Sequence, residues 1–594
     1  MKLTRIVFLL PTLFFSPTFS PLFAQLQGTV VDSATQAPIA NAQIRIQGRA
    51  ATVLTDDGGF FRLEDTTEFP FFLAAGAHTY YNGTVLINGK DDTTGILFEL
   101  EPVDLTVTPD HALNAPTECQ TCHPDQYDQW RGSPMANTGL NAWVFDVLDG
   151  QATAGGMNGF VYKRDGKHRD MKPNSECSAC HSPIHWLTDI ETAGMGDFHN
   201  PNQDMLDGVQ CEVCHRALDV DLEKINWPGV FPEAFTFLRG PQRIEFGLLG
   251  DVDYNTFIMR AGYNPQLRDR VCAACHEDNT DHDADDDYED PGSVPHETSF
   301  SEYQIYRSVV GEENARTCVD CHMPATDADT FCLFGTVERS PGTIRDHDIR
   351  GTTPEYLENA VTMNTEVALE RGILNVDVSI TNDKAGHAVP TGVMIRNMIL
   401  LVEAFDSGDQ ALVQLSGDVV DVIGGSGDPD QGFYAGLPGK SFYKNMADGE
   451  NQRVFYTEAD RIAEDTRIMP GETYQDRFRF ELPHTGQAGA EVDLDVRLIY
   501  RRSFFELTHQ KGWTETGLGL PLADIAPPHY GHLMERFETQ VDACTWKDSD
   551  GQPGIDQGDL HTLTGHWQEP APWGNEDDGA HIDVRHMTAV VNCY

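Results

Sequence analysis

Ten of the thirteen cysteines in this 594-residue chain belong to five copies of one short motif, in which a histidine directly follows the second of two cysteines. Two thiols three positions apart on a helical turn can form thioethers with the two vinyl groups of one haem, and the adjacent imidazole can then bind its iron. The sequence therefore predicts five covalently attached c-type haems. The copies are Cys119, Cys122 and His123; Cys177, Cys180 and His181; Cys211, Cys214 and His215; Cys272, Cys275 and His276; and Cys318, Cys321 and His322.

Zinc is the alternative occupant of these motifs, because cysteine pairs at this spacing also form tetrahedral zinc sites. Such sites would combine the pairs two by two, and five pairs would leave one over. Zinc also gives no reason for a histidine after every second cysteine. We therefore favour haem, and the covalent attachment of c-type haem indicates a compartment outside the cytoplasm.

Three cysteines lie outside the motifs. Cys544 and Cys593 flank the C-terminal tail and can pair as a disulfide in an oxidising compartment, with two free thiols as the alternative. Cys332 is then a lone thiol close in sequence to the fifth motif, and no role is predicted for it.

The first residues are typical of a secretion signal. Lys2 and Arg5 form a basic start, an apolar stretch follows over residues 6–15, and Ala24 is a small residue before a cleavage point. A membrane anchor is the alternative, but the stretch is short and interrupted by proline. No later segment has 18 consecutive apolar residues, so we expect no transmembrane span. The predictions are a removable signal over residues 1–24 and a periplasmic or extracellular location.

The chain is strongly acidic, with 41 Lys and Arg against 93 Asp and Glu and a formal net charge of −52. This balance argues against binding to nucleic acid, whose phosphates attract basic proteins. Attraction to basic partner proteins or to metal cations is one interpretation. A well-solvated surface is the other, and we favour it.

The hydrophobic pattern divides the chain into several domains, as its length requires. Residues 26–103 alternate apolar and polar positions between turn clusters, which predicts a small β-sandwich. Residues 108–352 hold all five motifs, so a mainly α-helix and loop pentahaem core is expected, in which haem replaces much of the usual apolar core. Residues 355–540 contain alternating segments at 374–380 and 492–500, which predict a C-terminal β-sandwich. A continuous apolar strand is predicted over residues 397–405.

The tail, residues 541–594, contains a candidate calcium loop. Oxygen side chains stand at loop positions 1, 3, 9 and 12, in a pattern that resembles an EF-hand or dockerin loop. Pro553 at position 6 and Gln552 at position 5 depart from it, so an ordinary acidic loop is the alternative. A second acidic run over residues 281–290 is predicted to be a solvated loop. The four oxygen-bearing loop positions are Asp548, Asp550, Asp556 and Asp559.

Segments around the motifs resemble multihaem cytochromes related to hydroxylamine oxidoreductase and to the tetrahaem cytochrome that serves it. The resemblance covers roughly residues 110–405. Residues 381–392 resemble a domain often fused behind such haem cores. Residues 27–63 resemble the carboxypeptidase regulatory-like β-sandwich, which usually acts as a spacer or docking module. The segments that carry the haem-core resemblance are residues 127–130, 133–136, 208–215, 318–324 and 345–347, with Gly351.

This resemblance implies candidates for the sixth ligand of the haem irons. His347 and His387 are the best candidates for distal ligands. Met135 stands where relatives often carry a histidine, and either iron ligation or core packing is open to it. Four further histidines are weaker candidates, chosen only because they lie near the motifs: His111, His185, His199 and His296.

Three functions are compatible with these features. The favoured one is an electron carrier that works with redox partner proteins or an extracellular acceptor. The second is an oxidoreductase acting on nitrite, hydroxylamine or tetrathionate, as in relatives with a five-coordinate haem. No variant motif ending in lysine is present, which counts against it. The third is an adhesive or assembly role for the β domains.

Overall fold

The computed structural model describes residues 24–543, apart from residues 66–67, 109–110, 189–193, 233, 257, 335–336, 371, 450–452, 483–490, 518, 520–521 and 523–524. The predicted secretion signal, apart from Ala24 at its end, lies outside the described residues. So do the candidate calcium loop and both cysteines of the predicted disulfide.

The N-terminal region consists of two sheets that share one apolar core. One sheet has the order β4-β1-β7, with β7 parallel to β1, and the other has the order β3-β2-β5-β6. Alternation along the strands turns side chains such as Leu26, Ile44 and Phe61 into the core between the sheets. The strands are β1 (Ala24–Asp32), β2 (Gln43–Ile46), β3 (Thr52–Leu54), β4 (Phe60–Asp65), β5 (Phe71–Gly76), β6 (Gly83–Ile87) and β7 (Thr94–Leu100).

This N-terminal region packs directly against the middle of the chain. The Asn82 side chain donates hydrogen bonds to the carbonyl oxygens of Leu249 (3.3 Å) and Val252 (2.9 Å). The Gly250 amide donates to Gln43 Oε1 at 2.9 Å. Because these bonds join buried or half-buried groups, the N-terminal region is fixed to the middle region.

The middle region contains all five motifs and is built from short helices, two-stranded sheets and loops. Small residues between the cysteines of the second, third and fourth motifs, Ala179, Val213 and Ala274, lie in one apolar cluster. The motifs therefore pack against one another. The helices are α1 (Pro116–Gln120), α2 (Pro124–Gly132), α3 (Ala142–Leu148), α4 (Tyr162–Asp165), α5 (Cys177–His181), α6 (Pro183–Thr188), α7 (Gln203–Asp207), α8 (Cys211–His215), α9 (Arg270–His276), α10 (Ser299–Val310), α11 (Cys318–His322) and α12 (Pro354–Leu357).

The strands of the middle region are short and join in pairs. Helices and loops therefore carry most of the framework around the motifs. The strands are β8 (Ala217–Val220), β9 (Phe235–Phe237), β10 (Ile244–Gly247), β11 (Arg260–Tyr263), β12 (Asp278–Asn279), β13 (Pro295–Glu297), β14 (Ala325–Thr326) and β15 (Ile344–Arg345).

The C-terminal region again has two sheets over one core, with orders β16-β17-β22-β19 and β21-β20-β18-β23-β24. The strands predicted over residues 374–380, 397–405 and 492–500 are confirmed as β17, β18 and β23. One helix, α13 (Phe505–Lys511), follows β23. The strands are β16 (Thr362–Glu370), β17 (Ile373–Thr381), β18 (Asn397–Asp406), β19 (Gln414–Ser416), β20 (Gly439–Ala447), β21 (Arg461–Asp465), β22 (Thr473–Glu481), β23 (Glu491–Arg501) and β24 (His532–Asp542).

Among the described residues, no helix is both long and apolar enough to cross a membrane.

Candidate functional site

Each motif lies on a short helix or helical turn. The second, third and fifth motifs coincide with α5, α8 and α11, and the fourth ends α9. In the first motif, α1 ends after Cys119, and the amides of Cys122 and His123 donate to the Cys119 carbonyl at 3.0 and 2.9 Å. This turn carries both cysteines and the histidine, which is the local geometry that haem attachment requires.

Three of the motif histidines are oriented by backbone carbonyls. Nδ1 of His123 donates to the carbonyl oxygen of Phe331 at 2.7 Å. Nδ1 of His215 donates to the carbonyl oxygen of Phe246 at 2.6 Å. Nδ1 of His322 donates to the carbonyl oxygen of Arg350 at 2.5 Å. A carbonyl oxygen only accepts hydrogen bonds, so the proton of each neutral ring is on Nδ1. Nε2 is then free to bind a metal ion.

Burial also favours the neutral, metal-binding form of four motif histidines. It lowers the pKa of His181 to about 4 and that of His322 to about 4. It lowers the pKa of His215 and of His276 in the same direction.

Two motif histidines face a second imidazole from a distant part of the chain. The ring centroids of His215 and His347 are 6.4 Å apart with an angle of 7° between the planes. Those of His322 and His387 are 6.3 Å apart with an angle of 14°. With metal–nitrogen bonds of about 2 Å, one metal ion between two imidazoles places their centroids about 6.3 Å apart. Both pairs therefore fit a six-coordinate haem iron.

The opposing imidazoles are oriented in the same way as the motif histidines. Nδ1 of His347 donates to the Arg345 oxygen at 3.0 Å, and Nδ1 of His387 donates to the Ala388 oxygen at 2.9 Å. Burial lowers the pKa of His347 to about 4. Each ring thus has Nε2 available on the side away from its carbonyl partner.

The loop that carries His387 belongs to the C-terminal region and is bound to α10 of the middle region. Glu302, which is 2% exposed, accepts hydrogen bonds from the Ala388 amide (3.1 Å) and the Thr391 hydroxyl (2.5 Å). Its other oxygen pairs with buried Arg467 at 2.5 Å. The position of His387 is therefore set by a network that joins the two regions.

The thiols of different motifs contact one another, and these contacts order the five motifs in space. Across the described residues, three such contacts are present, and each raises the pKa of one thiol of the pair. The thiols with the raised pKa are those of Cys119, Cys180 and Cys318. The fourth motif touches both the second and the fifth. The contacting pairs are Cys119 with Cys211, Cys180 with Cys275, and Cys272 with Cys318.

The third motif also lies next to the fourth, because Cys214 is close to Cys272 and Cys275. The first motif therefore leads to the third, the third to the fourth, and the second and fifth each adjoin the fourth.

The clusters that could hold a bare metal ion lie elsewhere. In the described part of the chain, groups of three potential ligand atoms come from Glu176 and the acidic run over residues 281–290, and none includes a cysteine. The Lys172 ammonium pairs with Glu176 (2.9 Å), Asp281 and Asp286 (2.7 Å), so part of the acidic charge is neutralised within the protein.

The remaining predicted ligands have diverse surroundings. Met135 begins a 3₁₀ helix, residues 135–140, in which the Thr138 hydroxyl donates to the His181 carbonyl at 2.8 Å. This places the Met135 helix against the second motif. His185 contacts the Asn202 amide group, and His199 contacts the Gln151 carbonyl.

His111 is half-buried, and its carbonyl accepts a hydrogen bond from Arg239. His296 contacts Asp278 through Nε2 at 2.9 Å.

Two features of the site were not predicted from the sequence. Both ring nitrogens of His168 are shielded from solvent and have no hydrogen-bond partner among the described residues. Cys332, close to the fifth motif in sequence, instead lies against the first: the Leu333 amide donates to the Cys122 carbonyl at 2.9 Å, and the Cys332 thiol interacts with that of Cys122. No local sequence pattern indicates either the shielded His168 ring or the position of Cys332 beside the first motif.

Comparison with known proteins finds a family model that is similar to part of this chain. Residues 118–216, which contain the first three motifs, match the family model described as cytochrome c554 and c-prime. Together with the motif geometry, this match supports a multihaem c-type cytochrome, a class of protein that transfers electrons.

Among solved structures, the chain is similar to a penta-haem cytochrome c552 from Thermochromatium tepidum. The identity is 21% and the TM-score 0.48, over 72% of this chain and 99% of that chain. The search of curated proteins found no match.

Proposed function

We propose that this protein transfers electrons outside the cytoplasm through five c-type haems, attached at the ten motif cysteines. The observation that carries the proposal is the pair of imidazole couples, His215 with His347 and His322 with His387. An iron held between two imidazoles has no open position for a substrate, so it exchanges electrons only.

In this proposal the motif histidines are the proximal ligands, and His347 and His387 are the distal ligands of the third and fifth haems. Haem supplies a one-electron redox centre at each motif. Burial holds His215, His322 and His347 in the neutral form. An Nδ1–carbonyl hydrogen bond fixes the orientation of each paired imidazole. Rigid ligands of this kind reduce the rearrangement that accompanies a change of iron charge.

The contacts between thiols support one route for the electrons. The touching cysteines would hold their haems close together, and each haem would supply a one-electron redox centre within reach of the next. Electrons would pass from the first motif to the third and then to the fourth. At the fourth motif the route would branch to the second and to the fifth motif. The haem attached at Cys272 and Cys275 would therefore pass electrons along either branch.

The irons of the first, second and fourth motifs need other sixth ligands. Met135 is a candidate for the second, because its 3₁₀ helix lies against that motif. His168 is a new candidate, because shielded polar nitrogens without partners are rare in folded proteins and a metal ion would account for them.

The finer assignments from the sequence belong to this proposal. They are the relation to the hydroxylamine oxidoreductase family, the carboxypeptidase regulatory-like identity of the N-terminal sheets and the sandwich form of both β regions. They also include a secretion signal, a periplasmic or extracellular location, a C-terminal disulfide and calcium as an additional ion. The partners would be redox proteins or an extracellular acceptor.

One arrangement favours the second candidate, an oxidoreductase acting on nitrite, hydroxylamine or tetrathionate. Buried His296 contacts Asp278 at 2.9 Å and stacks on the Tyr456 ring at 3.9 Å. Tyr456 also interacts with Cys177 and Cys180 of the second motif. Histidine, aspartate and tyrosine are the residues that move protons at enzyme sites.

Spin state and turnover distinguish the two functions. For the carrier, the oxidised protein is expected to be low spin at all five irons. The reduced protein should be reoxidised only slowly and stoichiometrically by nitrite, hydroxylamine or tetrathionate. One high-spin iron together with product formed over many turnovers would establish the enzyme instead. A pyridine haemochrome assay that finds three or fewer haems per chain would reject both.

A further inference from the structure

Two arginines and one aspartate are buried together where the N-terminal and middle regions meet. Arg45 comes from β2, Asp251 from the loop between β10 and β11, and Arg339 from the segment before β15. Their exposed fractions are 7%, 0% and 4%. Arg339 donates to Asp251 at 3.0 Å, and Arg45 lies 3.8 Å from the same oxygen.

This cluster carries one more positive than negative charge. Among the described residues, both arginines form ion pairs with Asp251. The second carboxylate oxygen of Asp251 already accepts a hydrogen bond from the Gly48 amide at 2.8 Å. Nε and Nη1 of both Arg45 and Arg339 are buried without any hydrogen-bond partner among the described residues. Buried guanidinium groups normally have their donors satisfied, so this arrangement calls for a second anion.

The cluster adjoins the first motif. The Arg339 guanidinium lies 5.0 Å from the centre of the Phe331 ring. That ring stacks on His123, with centroids 5.9 Å apart and an angle of 1° between the planes. Haem itself carries two carboxylates, its propionates. A haem bound at the first motif would therefore bring anions close to His123.

We propose that Arg45 and Arg339 bind a propionate carboxylate of the haem attached at Cys119 and Cys122. The planar guanidinium offers paired donors that match the two oxygens of a carboxylate. A propionate would satisfy the free nitrogens and neutralise the excess charge. This assignment rests on the proposed function, because it requires a haem at the first motif.

The assignment gives the N-terminal region a function beyond that of a spacer. Through Arg45 it contributes a positive charge next to one redox centre. A neighbouring cation destabilises the oxidised iron relative to the reduced iron, so it raises the reduction potential of that haem. The potential of the first haem would therefore depend on a side chain of the N-terminal region.

The test uses the full chain with Arg45→Gln, Arg339→Gln and Arg45→Lys. Arg62→Gln is the matched control, since Arg62 lies in the same region and is 59% exposed. In spectroelectrochemical titrations, both Gln variants should lower the potential of one haem, with a shift of about tenfold in its reduction equilibrium constant. Arg45→Lys retains the charge and should stay close to the parent protein, as should Arg62→Gln.

The potentials are also measured in chloride and in inorganic phosphate, because a free oxyanion could occupy the same donors. A potential that varies with phosphate in the parent protein and not in Arg45→Gln would replace the propionate by a dissolved anion. Five haems with unchanged potentials in both Gln variants would overturn this assignment alone. Absence of haem at the first motif in the parent protein would overturn the proposed function with it.

Discussion

A histidine side chain binds iron only when its imidazole is neutral and correctly turned. In this protein, burial provides the first condition and backbone carbonyls provide the second. His322 shows both, with a pKa lowered to about 4 and an Nδ1 hydrogen bond to the Arg350 carbonyl. His387 shares the carbonyl contact and faces His322 at 6.3 Å. These two residues therefore give the sharpest prediction for a single side chain.

His387→Ala is expected to change one haem of the oxidised protein from low spin to high spin, because one iron loses its sixth ligand. The measurement is the absorption and EPR spectrum of the purified protein, with the haem content determined in parallel. His532→Ala is the control, since His532 lies in the same region and pairs with Glu358 on the surface. An unchanged spectrum in His387→Ala would reject this ligand.

Functional residues could be predicted from the sequence when their signal is local, and not when it depends on contacts between distant parts of the chain. The motif residues carry their chemistry in five consecutive positions, so they were found directly. His347 and His387 were found through their resemblance to a family, and the structure brings each opposite a motif histidine. His168 and Arg45 have no comparable local pattern, because their significance depends on what is buried beside them after folding.

At the scale of elements, α10 connects the middle region to the loop that carries His387. The Glu302 carboxylate contacts that loop and also forms a buried ion pair with Arg467. Arg467 also pairs with the partly exposed Asp465 at 2.7 Å, so removing the Glu302 charge leaves this buried guanidinium with one carboxylate instead of two. The same element should thus affect both stability and iron ligation.

Glu302→Gln is expected to lower the free energy of unfolding by about 2 kcal/mol, because the buried Arg467 loses one of its two charged partners. It should also increase the high-spin fraction of one haem, since the Ala388 and Thr391 contacts weaken. Denaturant unfolding and EPR measure the two effects. For Glu312→Gln, which removes a 66% exposed carboxylate just after α10, the loss should not exceed about 1 kcal/mol. Equal effects of the two substitutions would contradict this function of Glu302.

A second connection is made by α13. The buried Lys511 ammonium donates to the carbonyl oxygens of Asp146 (2.8 Å), Gly156 (2.6 Å) and Phe160 (2.7 Å). Burial lowers the pKa of Lys511 from 10.5 to about 8. Between these two values the unfolded chain binds more protons at this lysine than the folded chain. The contribution of Lys511 to the free energy of unfolding therefore rises with pH in that window.

Lys511→Met should cost about 2 kcal/mol at pH 7.5, because three carbonyl oxygens, two of them in buried contacts, lose their donor. The stability difference between parent and variant should then widen up to pH 9.5, since only the parent gains stability as Lys511 loses its proton. Denaturant titrations at a series of pH values test this. Lys440→Met, which removes a partly exposed ammonium paired with Asp418, is the matched control. A constant difference for Lys511→Met would be the contrary result.

Strand patterns were predicted well where one face is buried. Leu374, Val376 and Val378 alternate along β17, and all three are buried in the core. The docking of the N-terminal region was not predictable in the same way. It depends on side chains such as Asn82, which bond to carbonyls more than 160 positions away.

At the scale of the whole molecule, a compact group of motifs is held between two β regions. The fourth motif touches the second and the fifth and lies next to the third, so the proposed haems form a branched array. A branched array offers more than one exit for electrons. Which exit is used depends on where charged partners approach the surface.

The net charge of −52 makes that approach dependent on ionic strength. The field of an acidic protein concentrates cations and repels anions near its surface, and salt screens this effect. The Debye length falls from about 30 Å at 0.01 M salt to about 10 Å at 0.1 M. Electron exchange with a cationic ruthenium ammine complex should therefore slow as salt is added. Exchange with anionic ferricyanide should accelerate.

Stopped-flow measurements of haem oxidation and reduction at several salt concentrations test this prediction, with a neutral quinone as the reference for specific salt effects. The opposite slopes for the two ions arise because screening removes attraction in one case and repulsion in the other. If both ions showed the slope of the neutral reagent, the acidic charge would lie far from the haem edges where electrons leave. The surface charge would then provide solvation alone, and partner choice would depend on local contacts around the exits.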